Sequence, residues 1–167
     1  MSDIVKIAQG DMAALKTLYE TYKIPVYRLA FAMTGNRELA EDITQDTFLR
    51  IQEKAHMYHG SGSEAAWIYT IARNITYDIL RKRKREVCEG EEVLLSVISQ
   101  KTDPESGVCY YLDLIRELPE RDAELVSLRI LGDLSFREIG RILNRSAASC
   151  NRQYNRALQK LRRSLQL

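Results

Sequence analysis

The side chains best suited to reading a nucleic acid lie near the C-terminus, beyond residue 146. Apolar residues recur there at spacings of three and four, which predicts a helix that buries the face formed by Ala147, Cys150, Tyr154, Ala157 and Leu161. At about 100° per residue, the opposite face carries arginine and amide groups. Together with the arginine before the helix, the candidate set is Arg145, Ser149, Asn151, Arg152, Asn155, Arg156, Gln159 and Arg163.

These residue types match the hydrogen-bonding edges of DNA bases. Arginine can bond guanine through two hydrogen bonds, and asparagine or glutamine can do the same with adenine. After Glu138 the chain contains no acidic residue that would repel phosphate. The face therefore predicts contacts in a DNA major groove, and the alternative is a solvated basic face on an ordinary helical bundle.

A second group of candidate side chains lies on the helix predicted for residues 64–85. The face opposite its apolar residues mixes basic, amide and aromatic groups, namely Thr70, Arg73, Asn74, Tyr77, Arg81 and Lys84. Proteins that bind single strands pair cations with phosphates while a ring receives an unstacked base. The helix ends in five consecutive cations, residues 81–85, for which a solvated helix end that complements the macrodipole is the alternative interpretation.

A third surface is predicted on the helix at residues 38–55. Its inner face contains Ala40, Ile43, Thr47, Phe48 and Ile51, and its outer face presents Asp42, Gln45, Leu49 and Glu53. A monomer gains nothing from a leucine in the middle of such a polar stripe. Because single exposed apolar residues are common, Leu49 indicates a partner surface only together with other features.

Acidic, cysteine and histidine residues form no pattern typical of an enzyme or a metal site. Glu41, Asp42 and Asp46 could serve a metal-dependent nuclease, but no clustered histidine or further acidic motif accompanies them. The three cysteines show no CxxC spacing, and the two histidines lack a third ligand nearby. We expect no catalytic residues, no metal and no cofactor.

The elements that position these groups are predicted to be helices throughout, because strand signals are scarce and apolar spacings of three and four recur. We expect an all-α chain with helices at 12–34, where Pro25 kinks or divides the helix, and at 38–55, 64–85, 109–117, 119–131, 135–143 and 147–165. The stretch 86–108 contains six acids, one lysine, two glycines and a proline. It predicts an acidic flexible linker with one helical turn at 93–98.

The charge distribution divides the chain in the same place. Residues 1–85 carry 13 basic and 10 acidic groups, residues 86–108 carry 1 and 6, and residues 109–167 carry 11 and 7. Two basic blocks around an acidic stretch indicate two modules that meet an anion. We expect two small helical domains, 1–86 and 109–167, joined by the linker 87–108.

The C-terminal domain has the layout of a helix-turn-helix at residues 134–165. Ser135 and Glu138 predict a capping box at the start of its first helix. Asn144 tolerates the backbone of a tight turn, and Ser146 can cap the second helix. No run approaches the roughly 18 apolar residues of a membrane span, and residues 1–12 lack the layout of a secretory signal. We expect a cytoplasmic protein that is not inserted in a membrane.

With these faces laid out, residues 10–85 and 110–165 resemble the two conserved regions of the extracytoplasmic-function (ECF) sigma factors, non-catalytic subunits of bacterial RNA polymerase. The motifs are AEDITQDTFL (40–49), WIYTIARN (67–74), LPER (118–121) and LSFREIG (134–140). The resemblance implies a factor that binds core RNA polymerase, recognises the −35 and −10 promoter elements, and promotes DNA opening without ATP. An anti-sigma factor is an implied further partner.

The resemblance also implies residue roles. Asp42, Gln45, Asp46, Leu49 and Glu53 would contact core polymerase. The loop at 59–63 would hold a base flipped out of the non-template strand near Asn74, at a cost in lost stacking that the pocket must offset. This adds His59, Gly60, Ser61 and Trp67 to the single-strand set. Ala148, Cys150 and Asn151 depart from the family's pattern of a glycine, a hydrophobic and a basic residue, so the upstream sequence that is read stays open.

One rival hypothesis is a helix-turn-helix regulator that binds an operator without polymerase, with residues 1–85 as a sensor or dimerisation domain. Residues 109–167 fit both hypotheses equally. The N-terminal domain discriminates, because a sensor needs a ligand pocket, whereas this domain offers a basic-aromatic face and the Leu49 stripe.

Overall fold

The computed structural model describes residues 2–60, 62–89 and 107–165, and within them it confirms the all-α fold. The helices are α1 (Asp3–Ala8), α2 (Met12–Thr34), α3 (Arg37–Lys54), α4 (Glu64–Glu89), α5 (Gly107–Arg116), α6 (Glu120–Ile130), α7 (Phe136–Leu143) and α8 (Ala147–Ser164), with a 3₁₀ turn at Ala55–Met57. Helices at either end extend into the segment predicted as linker, at 87–89 and 107–108. The rest of that segment, including the turn predicted at 93–98, lies outside the described residues.

Helix α2 is a single element from its cap at Asp11, whose carboxylate accepts from the amides of Ala13 and Ala14, to Gly35. Pro25 lies inside it without dividing it. Val26 and Leu29, which follow the proline, are fully buried, so packing holds both halves in place. Gly35 ends the helix with φ +64°, and an added Cβ there would lie 2.5 Å from the Arg116 guanidinium. The left-handed backbone favours glycine at this position, and a larger residue would also have to displace the Arg116 side chain.

The short helix α1 was not predicted, because six residues are too few to show a periodic pattern. Ile4 and Ile7 are buried in the core. The Glu64 side chain at the start of α4 accepts hydrogen bonds from the Ser2 hydroxyl and from the amide of Ile4 at 3.4 Å. A carboxylate from another helix thus caps α1 and holds it against the N-terminal module.

The C-terminal module is a helix-turn-helix, as predicted. Ser135 and Glu138 form the capping box of α7, and Ser146 caps α8 by accepting from the amide of Ser149. Asn144 adopts the left-handed conformation in the turn, with φ 52°. Gly140 packs so close to the carbonyl of Arg145 that a Cβ would lie 2.5 Å from it. The two helices therefore approach through a glycine.

The two modules share their apolar cores, which the sequence left undetermined. Phe31 and Ile43 from the N-terminal module cluster with Ile115, Val126 and Ala157 from the C-terminal module. A second cluster joins residues of α2 and α4 to residues of α6, α7 and α8, among them Leu29, Ile68, Tyr69, Leu128, Ile139 and Cys150. The described helices therefore pack as one body across the linker.

The capping box of α7 predicts a pH-dependent contribution to stability. The pKa of the Glu138 carboxyl is lowered because the Ser135 hydroxyl, and then the Ser63 side chain, donate to its charged form. A lowered pKa stabilises the fold above the ordinary glutamate value of about 4.3, and this stabilisation is lost as pH falls through the folded value. Glutamine can still form the reciprocal hydrogen bond but lacks the charge at the helix N-terminus, so we expect Glu138→Gln to reduce the free energy of unfolding at pH 7 by about 0.3–1 kcal/mol.

Urea denaturation of both proteins at pH values from 7 down to about 3 measures this effect. The difference between them should shrink as the wild-type carboxylate protonates. A difference that stays constant over the pH series would contradict the role given to the charge.

Candidate nucleic-acid and partner interfaces

The outer face of α3 presents the predicted polymerase-contact residues to solvent. Asp42, Gln45, Asp46, Leu49 and Glu53 are all exposed, and Leu49 shows 59% of its surface. The opposite face of α3 is buried, with Ile43 and Ile51 fully enclosed. The structure therefore confirms the predicted exposure of the stripe.

An apolar groove beside Leu49 was missed by the sequence reasoning. It lies between α2 and α3, has a volume of about 440 Å³, and is lined by Met12, Leu15, Tyr19 and Phe48 among others. Met12 is 62% exposed, and the Tyr19 ring stacks edge-on against Phe48 at 4.8 Å. Because residues of two helices line the groove, the residue pattern of one helix alone could not indicate it. Leu49 is thus part of an apolar surface and does not stand alone.

The loop before α4 is held in shape by aromatic and backbone contacts. The Tyr58 ring meets Trp67 edge-on at 5.4 Å, and the Tyr58 hydroxyl donates to the carbonyl of Gly62 at 2.8 Å. Gly60 has φ +68°. His59 and Gly60 are exposed and Trp67 is half-buried, while Ser61 lies outside the described residues. These contacts tie the described part of the loop to the start of α4.

The predicted single-strand face of α4 divides into exposed and engaged residues. Asn74, Arg81 and Lys84 are exposed. Arg73 and Tyr77 are half-buried, because both donate to the carboxylate of Glu124 on α6. Thr70 donates to the carbonyl of Ala66, in its own helix, at 2.7 Å. The structure thus brings Arg73 and Tyr77 together, but in contact with the other module.

The Tyr77 hydroxyl stays protonated and donates a hydrogen bond in this contact. Burial, and then the neighbouring Glu124 carboxylate, raises the pKa of the Tyr77 hydroxyl to about 12. The Arg73 guanidinium lies 4.8 Å from the centre of the Tyr77 ring, a distance typical of a cation–π contact. Arginine and tyrosine therefore form one unit on α4.

The outer face of α8 is open, as predicted. Its residues Asn151, Arg152, Asn155, Arg156, Gln159 and Arg163 are exposed. Ser149 is half-buried and accepts from Arg145 at 3.0 Å, and the Asn155 amide donates to the Asn151 side chain at 3.1 Å. Ala147 was predicted to be buried and is exposed, because the first residue of the helix lies beyond the edge of the core.

Gln153 is a structural residue of this interface that periodicity did not identify. It is buried, and its amide donates to the Asp122 carboxylate at 2.8 Å and to the carbonyl of Arg121 at 3.1 Å. Its carbonyl accepts from Arg145. Burial alone would raise the pKa of Asp122, but hydrogen bonds from Lys160 and Gln153 hold the pKa below its usual range. This network fixes α8 against α6 and orients its outer face.

No metal site or membrane segment occurs in the described residues. Within 2–60, 62–89 and 107–165, no three His, Cys, Asp or Glu side chains are grouped so that they could hold a metal ion. None of the helices in these ranges is long and apolar enough to cross a bilayer.

Comparison with known proteins gives the same division of the chain. The family model for Sigma-70 region 2 matches residues 18–86, and that for Sigma-70 region 4 matches residues 110–161. The ECF RNA polymerase sigma factor SigM of Bacillus subtilis is 30% identical over 87% of this chain and 91% of its own length. SigW of the same organism, also an ECF RNA polymerase sigma factor, is 29% identical over 97% and 94%.

A solved structure shares the fold over most of its length. The sigma factor RpoE in complex with the anti-sigma factor NepR from Bartonella quintana superposes with a TM-score of 0.80 at 21% identity, covering 91% of this chain and 96% of that one. The two matched regions, the all-helical fold and the full-length similarity to relatives lead to one conclusion. The chain belongs to the ECF class of RNA polymerase sigma factors, which are non-enzymatic initiation factors.

Proposed function

We propose that this chain binds core RNA polymerase through the outer face of α3 and the apolar groove beside it. The observation that carries the proposal is the exposure of Leu49 within a stripe whose polar neighbours are all exposed. Burying a leucine side chain contributes about 1.5–3 kcal/mol, and the free chain does not obtain this free energy. A partner that covers Leu49, Met12 and Tyr19 would supply this burial. Asp42 and Asp46 flank the leucine and would set the orientation of the partner.

The outer face of α8 is proposed to read the upstream promoter element in the major groove. Its support is an exposed, acid-free row of arginine and amide groups on a helix that is anchored through Gln153. Phosphate contacts position such a helix and base contacts specify the sequence. Arg152 and Asn155, in the middle of the face, are the candidates for base contacts.

The loop at 59–63 and the outer face of α4 are proposed to capture the opened downstream element. Trp67 and Tyr58 stiffen the loop, which would receive a flipped base near Asn74. Arg73, Arg81 and Lys84 would contact phosphates of the separated strand, while Tyr77 offers a stacking surface. Capture of transiently opened DNA requires no nucleotide hydrolysis by this chain.

An anti-sigma factor is proposed as a regulatory partner, because the similar sigma factor from Bartonella quintana was solved in complex with one. A protein that covers the α3 stripe or the α8 face would keep the chain from polymerase or promoter. Since polymerase and promoter DNA are the targets, the site of action is the cytoplasm.

The test of the whole proposal is run-off transcription on a set of host promoters, with core polymerase in the presence and absence of this protein. We expect promoter-specific transcripts only when both are present, and little specific duplex binding by the free protein. A protein that binds specific duplex DNA alone, activates no template and does not co-purify with core polymerase would be an operator-binding regulator.

The polymerase surface predicts a strong effect of Leu49→Asp. A charge placed in an apolar interface loses the burial free energy and adds a desolvation cost, so affinity for core polymerase should fall at least about tenfold. Ile24→Asp on α2 is the matched control, because Ile24 is similarly exposed at 51% and lies outside the proposed surface. Titration of labelled protein with core polymerase measures both variants. Equal affinities of the two variants would exclude Leu49 from the interface.

The upstream reader predicts a sequence-specific effect of Arg152→Ala. Loss of one base contact should cost about 1–3 kcal/mol on the promoter and much less on a template whose upstream element is shuffled. Arg137→Ala is the control, because Arg137 is an exposed arginine of the same module that lies on α7 and not on the proposed face of α8. Binding of the holoenzyme to both templates gives the comparison. If Arg152→Ala weakens both templates equally, Arg152 contacts phosphate and not a base.

A further inference from the structure

The α4 face that is proposed to take melted DNA is in contact with the C-terminal module at Arg73 and Tyr77. The Arg73 guanidinium donates through Nε to one oxygen of the Glu124 carboxylate, and the Tyr77 hydroxyl donates to the other oxygen at 3.0 Å. One carboxylate therefore engages both side chains of the arginine–tyrosine unit. A phosphate oxygen that approaches Arg73 would compete with Glu124 for the same donor.

Glu124 on α6 is positioned to accept hydrogen bonds from side chains of α4. Only 4% of its surface is exposed. A buried carboxylate without partners is strongly destabilising, and here both of its described partners belong to the other module. The carboxylate resembles a phosphate in the way it accepts from a guanidinium, so it can occupy the position of the DNA backbone.

Further contacts between the modules lie along α4 and its loop. The Ser63 side chain contributes to lowering the pKa of Glu138 on α7, and Gly62 lies near the Arg141 guanidinium. The Tyr69 ring packs against Gly132, where an added Cβ would lie 3.0 Å from it. The loop before α4 and the buried side of α4 thus also meet α7 and the turn between α6 and α7.

Both proposed DNA surfaces also border one cleft. It measures about 1000 Å³ and is lined by Arg73 and Tyr77 from α4 together with Arg145 and Arg156 from the helix-turn-helix. While the modules are in contact, the donor groups of Arg73 and Tyr77 that border this cleft are bonded to Glu124 and are not free for a separated strand. In contrast, the α3 stripe and the outer face of α8 are exposed while the modules are in contact.

We infer that the free protein is autoinhibited by an internal mimic of the DNA backbone, in which Glu124 occupies the Arg73–Tyr77 unit and is displaced when the modules separate. This inference rests on the proposed role of the α4 face in single-strand capture. Because Glu124 and a single strand compete for the same side chains, separation of the modules and single-strand binding favour each other. A substitution that weakens the Glu124 contact therefore raises single-strand affinity by the same factor by which it favours the open state.

Glu124→Gln tests the inference, because it keeps the shape of the side chain and removes its charge. The control is Glu117→Gln, which makes the same charge change at an exposed residue of the same module. The probe is a short fluorescein-labelled single-stranded oligonucleotide of random sequence, read by anisotropy, and small-angle scattering gives the radius of gyration of the same samples. Glu124→Gln should bind the probe at least about fivefold more tightly, the lower end of usual couplings, and show a larger radius. Glu117→Gln should match the wild type in both measurements.

A double variant separates failure of the inference from failure of the proposed function. Adding Arg73→Gln to Glu124→Gln should remove the gain in probe affinity while the radius stays large. If Glu124→Gln changes neither radius nor affinity relative to Glu117→Gln, the autoinhibition is wrong and the role of α4 stands. If the radius grows without any gain in affinity, the α4 face does not bind single strands and both proposals fall.

If Glu124→Gln folds poorly, Tyr77→Phe provides a second test of the inference. It removes the hydroxyl that donates to Glu124 and leaves the ring for stacking. We expect a smaller gain in probe affinity than for Glu124→Gln, in the same direction. A loss of affinity would show that the hydroxyl serves DNA and not closure, and would overturn the inference.

Discussion

Each functional surface of this protein depends on the burial of the opposite face of the helix that carries it. Ile43 and Ile51 are fully enclosed on α3, and Cys150 and Ala157 are fully enclosed on α8. Each large apolar side chain withdrawn from water contributes about 1.5–3 kcal/mol, whereas an exposed ion pair contributes about 1 kcal/mol or less. The core therefore decides how each helix is rotated. The direction of Leu49 and of Arg152 follows from the residues on the buried faces of α3 and α8.

The contact between the modules combines two interactions with different consequences. The shared apolar clusters stabilise the closed arrangement whatever occupies the surface of α4. The Glu124 contact is conditional, since a buried carboxylate is stabilising only while Arg73 and Tyr77 bond to it and becomes an uncompensated charge without them. The apolar contacts supply affinity between the modules, and the carboxylate makes that affinity depend on what else binds Arg73.

The features that could be predicted are those that follow from the spacing of residues within one helix. Periodicity alone indicated the faces of α3 and α8, and the spacing of Ser135 and Glu138 indicated the capping box. Gln153 and Glu124 could not be found in this way, because the reason each polar side chain is buried lies in a helix distant in sequence. The short helix α1 has too few residues for a periodic pattern, and Glu64, which caps it, lies 60 residues beyond Ile4. Exposure is observed for the α3 stripe and for most of the outer face of α8, and the roles of these residues are proposals.

The distribution of exposed and engaged surfaces implies an order of events. The α3 stripe, which is proposed to bind polymerase, is exposed in the closed arrangement, so no contact between the modules has to break before it can be covered. Arg73 and Tyr77 on α4 are bonded to Glu124, so their donor groups become available only after separation. An enzyme that grips α3 and holds the two modules apart would release Glu124 without having to act on it directly. Single-strand capture would then be confined to the polymerase-bound state, and the free chain would be kept from unproductive contact with single strands by one carboxylate.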